Sequence, residues 1–322
     1  MNSSVRDYEE ILREASLSEI MRKAYEAHIL IPAFNIAYLP IVEPIVSALN
    51  DLSCFGLVEV ARPDIEKFGA QSLRAVRDEF EKYADRAYTR LHEDHVPVID
   101  EDGERVNWKK WIEEALNLGF DSVMIDGSRL SLKENIEVTR TVVEMAYAKR
   151  DPVEAELGAV FGHEKGPLPP YEELFRTGKG FTDPGEAERF VKETGVDWLS
   201  VAIGNIHGAI SGLAKDQKKV NARLSIEHLQ KIVTVTNVPI VLHGGTGITQ
   251  ESVLAGIKNG VTKINIGTGI RQKYEIGLRE TGSISGAQRR VKEEIEDTIK
   301  NYYYIQGSAR KLASLIGGTS KL

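Results

Sequence analysis

The fold is decided by residues 239–268, which read PIVLHGGTGITQESVLAGIKNGVTKINIGT. A short apolar run, Pro239–Gly245, is followed by a helical pattern at Gln250–Asn259 and by a second short run at Lys263–Thr268. Short apolar runs that alternate with amphipathic helices indicate parallel strands covered by helices on both faces. The segment therefore predicts one strand–helix–strand unit of an α/β fold.

The same alternation extends towards the amino terminus, with helical patterns such as Leu132–Tyr147 between the runs. With the two runs above, the predicted strands number eight; the other six are Ile31–Ile36, Gly56–Val60, Tyr88–Asp94, Asp121–Ser128, Pro152–Gly158 and Trp198–Gly204. Eight such units are the number in a closed (β/α)8 TIM barrel. An open doubly wound sheet competes, but it usually shows a glycine fingerprint after strand one, where this chain has Phe34–Asn35–Ile36. We predict the barrel.

The remaining segments predict additions to this barrel. We expect one domain over residues 1–322, with the barrel at about 29–285 and a helical extension at about 286–322. An extra helix is predicted at Tyr8–Ala27. Two long loops, His95–Asn107 and Ala159–Phe181, are either binding segments or tolerated surface insertions.

Composition excludes several classes of protein. The 322 residues are 42% hydrophobic and 28% charged, which is an ordinary globular composition. The net charge of −7 gives no bulk attraction to nucleic acid or to an anionic membrane. No apolar run approaches the roughly 20 residues of a membrane helix, and a lone Cys54 excludes a disulfide framework. We expect a cytoplasmic protein without nucleic-acid or membrane partners.

Three histidines stand at or just after predicted strand ends, where barrel enzymes build their sites. They are His95, His207 and His243. Three neutral imidazoles on one face form a zinc-type ligand set that leaves a position open for water or substrate. One such histidine alone would more often be structural, but three at equivalent positions beside carboxylates favour a metal site.

Glycines follow two of these histidines and the last strand. They occur in His207–Gly208, in His243–Gly247 and in Asn265–Thr268. Loops after strands seven and eight of a barrel commonly bind phosphate through backbone N–H groups and a helix N-terminus. The alternative is that the glycines only make tight turns; beside a metal set, we favour the phosphate site.

An ordered set of motifs, each modest alone, now points to a known family. The motifs are PAFN (32–35), HEDH (92–95), SVMIDGS (122–128), EAELG (154–158), GNIHG (204–208), LHGGTG (242–247) and KIN (263–265). Over roughly residues 31–268, the chain resembles the class II, zinc-dependent ketose-bisphosphate aldolases, which include fructose- and tagatose-bisphosphate aldolases. The resemblance implies a lyase of carbohydrate metabolism and glycolysis. Such an enzyme reversibly cleaves a phosphorylated ketose, first of all fructose 1,6-bisphosphate, to dihydroxyacetone phosphate and an aldehyde.

The resemblance also implies roles for individual residues. One catalytic zinc ion would be bound by the three histidines, and Glu156 could contact it when it shifts position. Asp94 would exchange the proton of the C4 hydroxyl, and Glu164 would handle the proton on the C3 side. The implied substrate and phosphate ligands are Asn35, Gly208, Gly244, Thr246, Asn265 and Thr268, with a monovalent cation often nearby. A homodimer or homotetramer is implied as well.

The chemistry agrees with those roles. Zinc acts as a Lewis acid towards the charge left when a bond beside a ketone breaks, and a nearby carboxylate must take the hydroxyl proton. Neighbouring strand residues point to opposite faces, so we expect His95 to face the metal and Asp94 the substrate rim. The plainer interpretations are a strand-end turn residue for Asp94 and a solvated loop charge for Glu164.

Some positions depart from the family pattern. The usual His-Leu-Asp-His has Glu93 as its second residue here, and Ala61–Arg62–Pro63 follows strand two in place of a small Ser. The loop after strand three is long and acidic. We hypothesise that Arg62 recognises an anionic group of the substrate. A surface ion pair of Arg62 with Asp64 or Glu66 is an equally weighted alternative.

Three other functions compete with a fructose-bisphosphate aldolase. The first is an aldolase for another ketose phosphate, such as tagatose 1,6-bisphosphate. The second is a Schiff-base aldolase, for which Lys263 is the candidate lysine at an inner-facing strand position. The third is a non-catalytic accessory subunit, against which the retained histidines, Asp94 and Glu156 argue.

Overall fold

Eight parallel strands close into a barrel. The structure is a computed structural model, and it describes residues 7–158, 160, 170–206 and 221–318. The strands pair in chain order from β1 to β8, and β1 also pairs with β8. They are β1 Ile31–Asn35, β2 Gly56–Ala61, β3 Thr89–Pro97, β4 Ser122–Asp126, β5 Val153–Leu157, β6 Trp198–Val201, β7 Ile240–Leu242 and β8 Val261–Ile266. The predicted (β/α)8 barrel is confirmed, and each predicted strand overlaps an observed one.

Helices surround the barrel and carry their apolar faces inward. In the described part of the chain they are α1 Tyr8–Glu14, α2 Leu17–Glu26, α3 Val42–Asp51, α4 Arg62–Glu66, α5 Leu73–Tyr83, α6 Trp108–Leu118, α7 Leu132–Tyr147, α8 Tyr171–Thr177, α9 Pro184–Thr194, α10 Ile226–Thr236, α11 Gln250–Lys258, α12 Thr268–Thr281, α13 Ile284–Asp297 and α14 Ser308–Ile316. A 3₁₀ turn covers Leu39–Ile41, and a π turn covers Thr298–Tyr302. None of the described helices has the length and apolar character needed to cross a bilayer.

Side-chain caps start several of these helices. Ser131 and Glu134 form a reciprocal capping box at the start of α7, and Asp183 accepts a hydrogen bond from Glu186 N at the start of α9, where Pro184 occupies the first turn. Both arrangements satisfy N–H groups that lack a partner within the helix. The predicted single helix at Tyr8–Ala27 is in fact two helices, because the extended Ser16 caps α2 and interrupts the run.

The amino ends of the strands form a closed floor. Arg90, on β3, donates from Nη2 to the carbonyl oxygens of Leu12 at 2.8 Å and Ala15 at 3.1 Å. Ser308, at the start of α14, accepts a hydrogen bond from Phe55 N at 3.1 Å. Helices α1, α2 and α14 therefore cover this end. The opposite end, where the strands finish, carries the largest group of polar side chains.

Candidate active site

A cavity of about 140 Å³ opens at the carboxyl ends of the strands. The two sides of this cavity are lined by different kinds of residue. On the side of β7 and β8 lie the glycine-rich loops, whereas the side of β2 and β3 carries Arg62, Asp64 and Glu101. The predicted site residues that line the cavity are Asn35, Arg62, Asp94, His95, His243, Gly244, Thr246, Asn265 and Thr268. Because these residues come from distant parts of the sequence, it is the barrel that brings them together.

Asp94 is held by two amides. Asn35 Nδ2 donates to its Oδ2 at 2.9 Å, and Asn265 Nδ2 donates to its Oδ1 at 2.9 Å. The carboxylate is 1% exposed. Burial alone would raise its pKa, but the charges of His95, His243 and Lys263 outweigh burial and lower it. Asp94 is therefore an ionised carboxylate with a fixed orientation, which suits a proton acceptor.

His95 reaches the same site through a β-bulge. The β3–β4 register shifts between Glu93 and Val96, and His95 has a φ of 44°, in the left-handed region. A regular strand would point Asp94 and His95 to opposite faces. The bulge instead turns both towards His243, so that donor atoms of all three lie within 4.8 Å of one another. The expectation that the two side chains diverge is therefore wrong.

His243 lies between two buried glutamates. Its Nε2 donates to Glu154 Oε1 at 2.8 Å, and its Nδ1 lies 3.1 Å from Glu156 Oε2. Burial would lower the pKa of His243, but the two carboxylates dominate and raise it well above its usual value. A metal-binding histidine commonly gives its other ring N–H to a carboxylate. Here Glu154 takes that role at Nε2, while Nδ1 faces Glu156.

The donor set around these histidines suits a zinc ion. His95, Asp126 and Glu156 also offer donor atoms within 4.8 Å of one another, and the His95 and His243 rings meet edge to face with centroids 4.3 Å apart. Two imidazoles with neighbouring carboxylates are ligands that zinc accepts. The third predicted histidine, His207, lies outside the described residues, as do Glu164 and Gly208.

The loops after β7 and β8 lie side by side. Gly245 N donates to the carbonyl oxygen of Asn265 at 2.9 Å, and Gly269 N donates to Thr246 Oγ1 at 3.3 Å. Helix α12 begins at Thr268 directly after β8, so its N-terminal end faces the cavity. This is the arrangement that favours an anion, and it agrees with the predicted phosphate site.

Arg62 starts the short helix α4 and is already engaged by two carboxylates. Its Nε donates to Glu66 Oε1 at 2.7 Å, and its Nη1 donates to Asp100 Oδ2 at 3.1 Å. Asp64 instead accepts a hydrogen bond from Ala61 N at 2.9 Å. The ion pair with Glu66 is present, the one with Asp64 is not formed, and Asp100 joins from the acidic loop.

Comparison with known proteins identifies the family. A family model described as class II fructose-bisphosphate aldolase matches residues 15–311. The chain belongs to this family.

Similar aldolases include proteins of two bacilli and a fungus. Fructose-bisphosphate aldolase of Geobacillus stearothermophilus is 39% identical over 166 residues, 52% of this chain and 53% of that protein, so the chain spans about half the length of that relative. The 6-phospho-5-dehydro-2-deoxy-D-gluconate aldolase of Bacillus licheniformis is 33% identical over 255 residues, 79% of this chain and 78% of that one. The crystal structure of a putative fructose-1,6-biphosphate aldolase from Coccidioides immitis has a TM-score of 0.73 at 25% identity and covers 93% and 100% of the two chains.

Sequence reasoning missed several residues of this class II aldolase site. The motif EAELG assigns no role to Glu154, although its spacing of two from Glu156 along β5 predicts that both face the barrel interior. The motif SVMIDGS likewise assigns no role to Asp126, which lies 3.6 Å from His95 Nδ1. Arg129 and Arg271, which also line the cavity, were not singled out. Inward alternation along β5 was the signal that could have identified Glu154.

Proposed function

We propose that this class II aldolase is a zinc-dependent carbon–carbon lyase that reversibly cleaves a phosphorylated ketose to dihydroxyacetone phosphate and an aldehyde. Fructose 1,6-bisphosphate is the first candidate substrate. The observation that carries the proposal is the buried Asp94 carboxylate, fixed by two amides beside His95 and His243. We further propose one domain, a cytoplasmic location and a homodimer or homotetramer.

The residues would divide the chemistry as follows. His95 and His243, with the predicted His207 and Glu156, would hold zinc, which supplies Lewis-acid polarisation of the ketone oxygen. Asp94 would accept the C4 hydroxyl proton in cleavage and return it in condensation. Thr246, Thr268 and the neighbouring backbone N–H groups would bind the ketone-side phosphate. Glu164 would act on the C3-side proton, and a monovalent cation is proposed near the phosphate.

The Schiff-base alternative is disfavoured by the environment of Lys263. Burial would lower the pKa of its ammonium, but Glu154, Glu59 and Asp94 outweigh burial and raise the pKa above its usual value. An amine must be unprotonated to attack a carbonyl. A lysine held charged in this way is a poor nucleophile.

A phosphorylated sugar acid is a second candidate substrate. The Bacillus licheniformis relative is named for 6-phospho-5-dehydro-2-deoxy-D-gluconate. Arg62, Arg129 and Arg271 line the cavity, and arginine suits the recognition of a carboxylate or a phosphate. The aldehyde half could therefore carry either anion.

The test is a coupled assay of dihydroxyacetone phosphate release. The purified protein is offered fructose 1,6-bisphosphate, tagatose 1,6-bisphosphate and a phosphorylated keto sugar acid, before and after chelation and after zinc is added back. We expect release from at least one substrate, its loss with the chelator and its return with zinc. Zinc binding without release from any substrate would reject these substrates, and release that survives chelation would reject the zinc mechanism.

A further inference from the structure

Lys263 is a fully buried charge to which the proposed reaction gives no task. It lies on β8 inside the barrel, two residues before Asn265, and its side chain is 0% exposed. A buried ammonium is costly unless it is paired and hydrogen-bonded. The groups that pair with it therefore indicate why the barrel contains it.

Three side chains surround the ammonium. Lys263 Nζ lies 2.9 Å from Glu154 Oε2, 3.1 Å from Glu59 Oε2 and 2.7 Å from Asn265 Oδ1. Glu59 and Glu154 are both 0% exposed. Two of the three partners contact the site directly, since Asn265 donates to Asp94 and Glu154 accepts from His243.

The contact with Asn265 fixes the orientation of an amide. Because Asn265 Oδ1 accepts from the ammonium, its Nδ2 must point the other way, and there it donates to Asp94 Oδ1 at 2.9 Å. An amide has one acceptor oxygen and one donor nitrogen. If the amide were reversed, its oxygen would face the ionised carboxylate, and the two would repel each other.

The contact with Glu154 fixes the orientation of a histidine ring. Lys263 Nζ donates to Glu154 Oε2 at 2.9 Å, and Glu154 Oε1 accepts a hydrogen bond from His243 Nε2 at 2.8 Å. Trp198 Nε1 donates to Glu154 Oε2 at 2.9 Å and holds the same group. With Nε2 directed at Glu154, Nδ1 lies 3.1 Å from Glu156 Oε2, so Nδ1 is the nitrogen that would bind a metal beside Glu156.

We propose that Lys263 is a positioning residue that orients the proton acceptor Asp94 through Asn265 and the metal-binding nitrogen of His243 through Glu154. The inference rests on the proposed function. One buried cation thereby couples two groups that must act on the same substrate. Donor atoms of Glu59, His92 and Asp94 also lie within 4.8 Å of one another, and Glu59 of this group contacts the ammonium.

The test compares Lys263→Met with Arg90→Met. Each variant replaces a buried cation with an unbranched side chain, on β8 for Lys263 and on β3 for Arg90. Arg90 is the control because it contacts carbonyl oxygens at the barrel floor, away from the site. Zinc affinity is measured by competition with a chromogenic chelator, and kcat and KM are measured at saturating zinc. Circular dichroism and thermal unfolding establish that each variant is folded.

For Lys263→Met we expect zinc affinity and kcat each to fall about 10–100-fold, which is the usual effect of losing a residue behind a metal ligand. KM should change by less than about threefold, because the phosphate loops are intact. Arg90→Met should lower the unfolding temperature and leave zinc affinity and kcat unchanged. A folded Lys263→Met with wild-type zinc affinity and kcat would overturn the proposal, and so would an equal loss in Arg90→Met.

Glu154→Gln keeps the inference testable if Lys263→Met does not fold. Its neutral amide still contacts Lys263 but is a weaker acceptor for His243 Nε2 than the carboxylate is, so the ring is held less firmly. Zinc affinity should therefore fall, and kcat at saturating zinc should fall less. Unchanged zinc affinity in Glu154→Gln would overturn the proposal. Failure of the wild-type protein to cleave any phosphorylated ketose would reject the proposed function instead, while the zinc affinities would still test Lys263.

Discussion

The orientation of Asp94 depends on two asparagines that come from opposite ends of the sequence. Asn35 ends β1 and Asn265 lies on β8, and these strands are neighbours where the barrel closes. Each amide donates to a different carboxylate oxygen. The closure of the barrel therefore decides the direction in which the proposed proton acceptor faces.

Asp94→Asn removes the proton acceptor and keeps the volume of the side chain. We expect kcat to fall about 10²–10⁴-fold, the usual value of a positioned acid–base group, because among the described residues these amides hold no other carboxylate. Steady-state kinetics measure kcat, and competition with a chelator measures zinc affinity. The exposed Asp78→Asn is the matched control. A kcat within tenfold of wild type would mean that another group takes the proton.

We expect Arg62 and Arg129 to contribute unequally to the binding of an anionic aldehyde half. Arg62 is engaged by Glu66 and Asp100, whereas Arg129 lines the cavity and is exposed. Hydrogen bonds to charged groups contribute about 1.5–3 kcal/mol, so Arg129→Ala should raise KM by about tenfold or more for substrates with an anionic aldehyde half. Arg62→Ala should raise it less.

Substrates with an uncharged aldehyde half are the control for both arginine variants. Their KM should be unchanged, because the proposed ketone-side phosphate site, at Thr246 and Thr268, is elsewhere in the cavity. If Arg62→Ala leaves KM unchanged for every substrate, Arg62 has no part in recognition. If Arg129→Ala does the same, the anion is bound by other groups.

At the scale of elements, strand β3 shows where sequence reasoning ends. Its existence and the alternation of its side chains were predictable, because Leu91 and Glu93 face one side while His92 and Asp94 face the other. The bulge at His95 was not, since a φ of 44° in one residue leaves no periodic trace in a sequence. Hydrogen bonds to the neighbouring strand, with a register shift after Glu93, stabilise a conformation that histidine rarely adopts alone.

The close contact between the β7 and β8 loops requires Gly245. A Cβ atom there would lie 2.3 Å from Ile264 Cγ2 and 2.7 Å from the carbonyl oxygen of Asn265. We expect Gly245→Ala to push Asn265 and the loop after β7 apart. A displacement of about 1 Å can cost on the order of 10² in rate, so kcat/KM should fall by about that factor.

Gly185→Ala is the control for this loop. Its Cβ would meet only Asp183 Oδ1, at 3.2 Å, in the exposed first turn of α9. Kinetics and thermal unfolding should match those of the wild-type protein. If Gly245→Ala also matched the wild-type kinetics, the two loops would tolerate separation and the packing argument would fail.

At the scale of the whole molecule, the overall barrel was more predictable than its active site. Eight apolar runs separated by helical patterns match the number of strand–helix units in a (β/α)8 barrel. The family model spans residues 15–311. The contacts of Glu154 and Lys263 link β5 to β8 across the barrel interior, and residues 109 positions apart show no local pattern. The predictions for Glu164, His207 and Gly208 stay predictions.

The stability of the whole fold should depend on pH through Asp197. This carboxylate accepts a hydrogen bond from Val153 N at 2.8 Å, and burial raises its pKa to about 6. The unfolded chain has a pKa of about 3.9. The folded state therefore holds the proton more tightly, and the unfolding free energy falls as the pH rises from about 4 to about 6.

Asp197→Asn removes this pH dependence and keeps an oxygen acceptor for Val153 N. Above pH 7 we expect the variant to be more stable than wild type by on the order of 2 kcal/mol, since one pKa unit corresponds to about 1.4 kcal/mol. The difference should vanish below about pH 4. Urea unfolding at several pH values measures it, with exposed Asp78→Asn as the control. A constant difference at all pH values would contradict the assignment.

The floor of the barrel has a practical consequence for handling the protein. Helices α1 and α14, which hold the outermost described residues, pack against each other at the amino ends of the strands. The cavity opens at the other end. A surface linker attached to an exposed residue of α1 or α14 should therefore orient immobilised molecules with the cavity towards the solution. The same attachment to α4, beside the cavity, should restrict the entry of substrate.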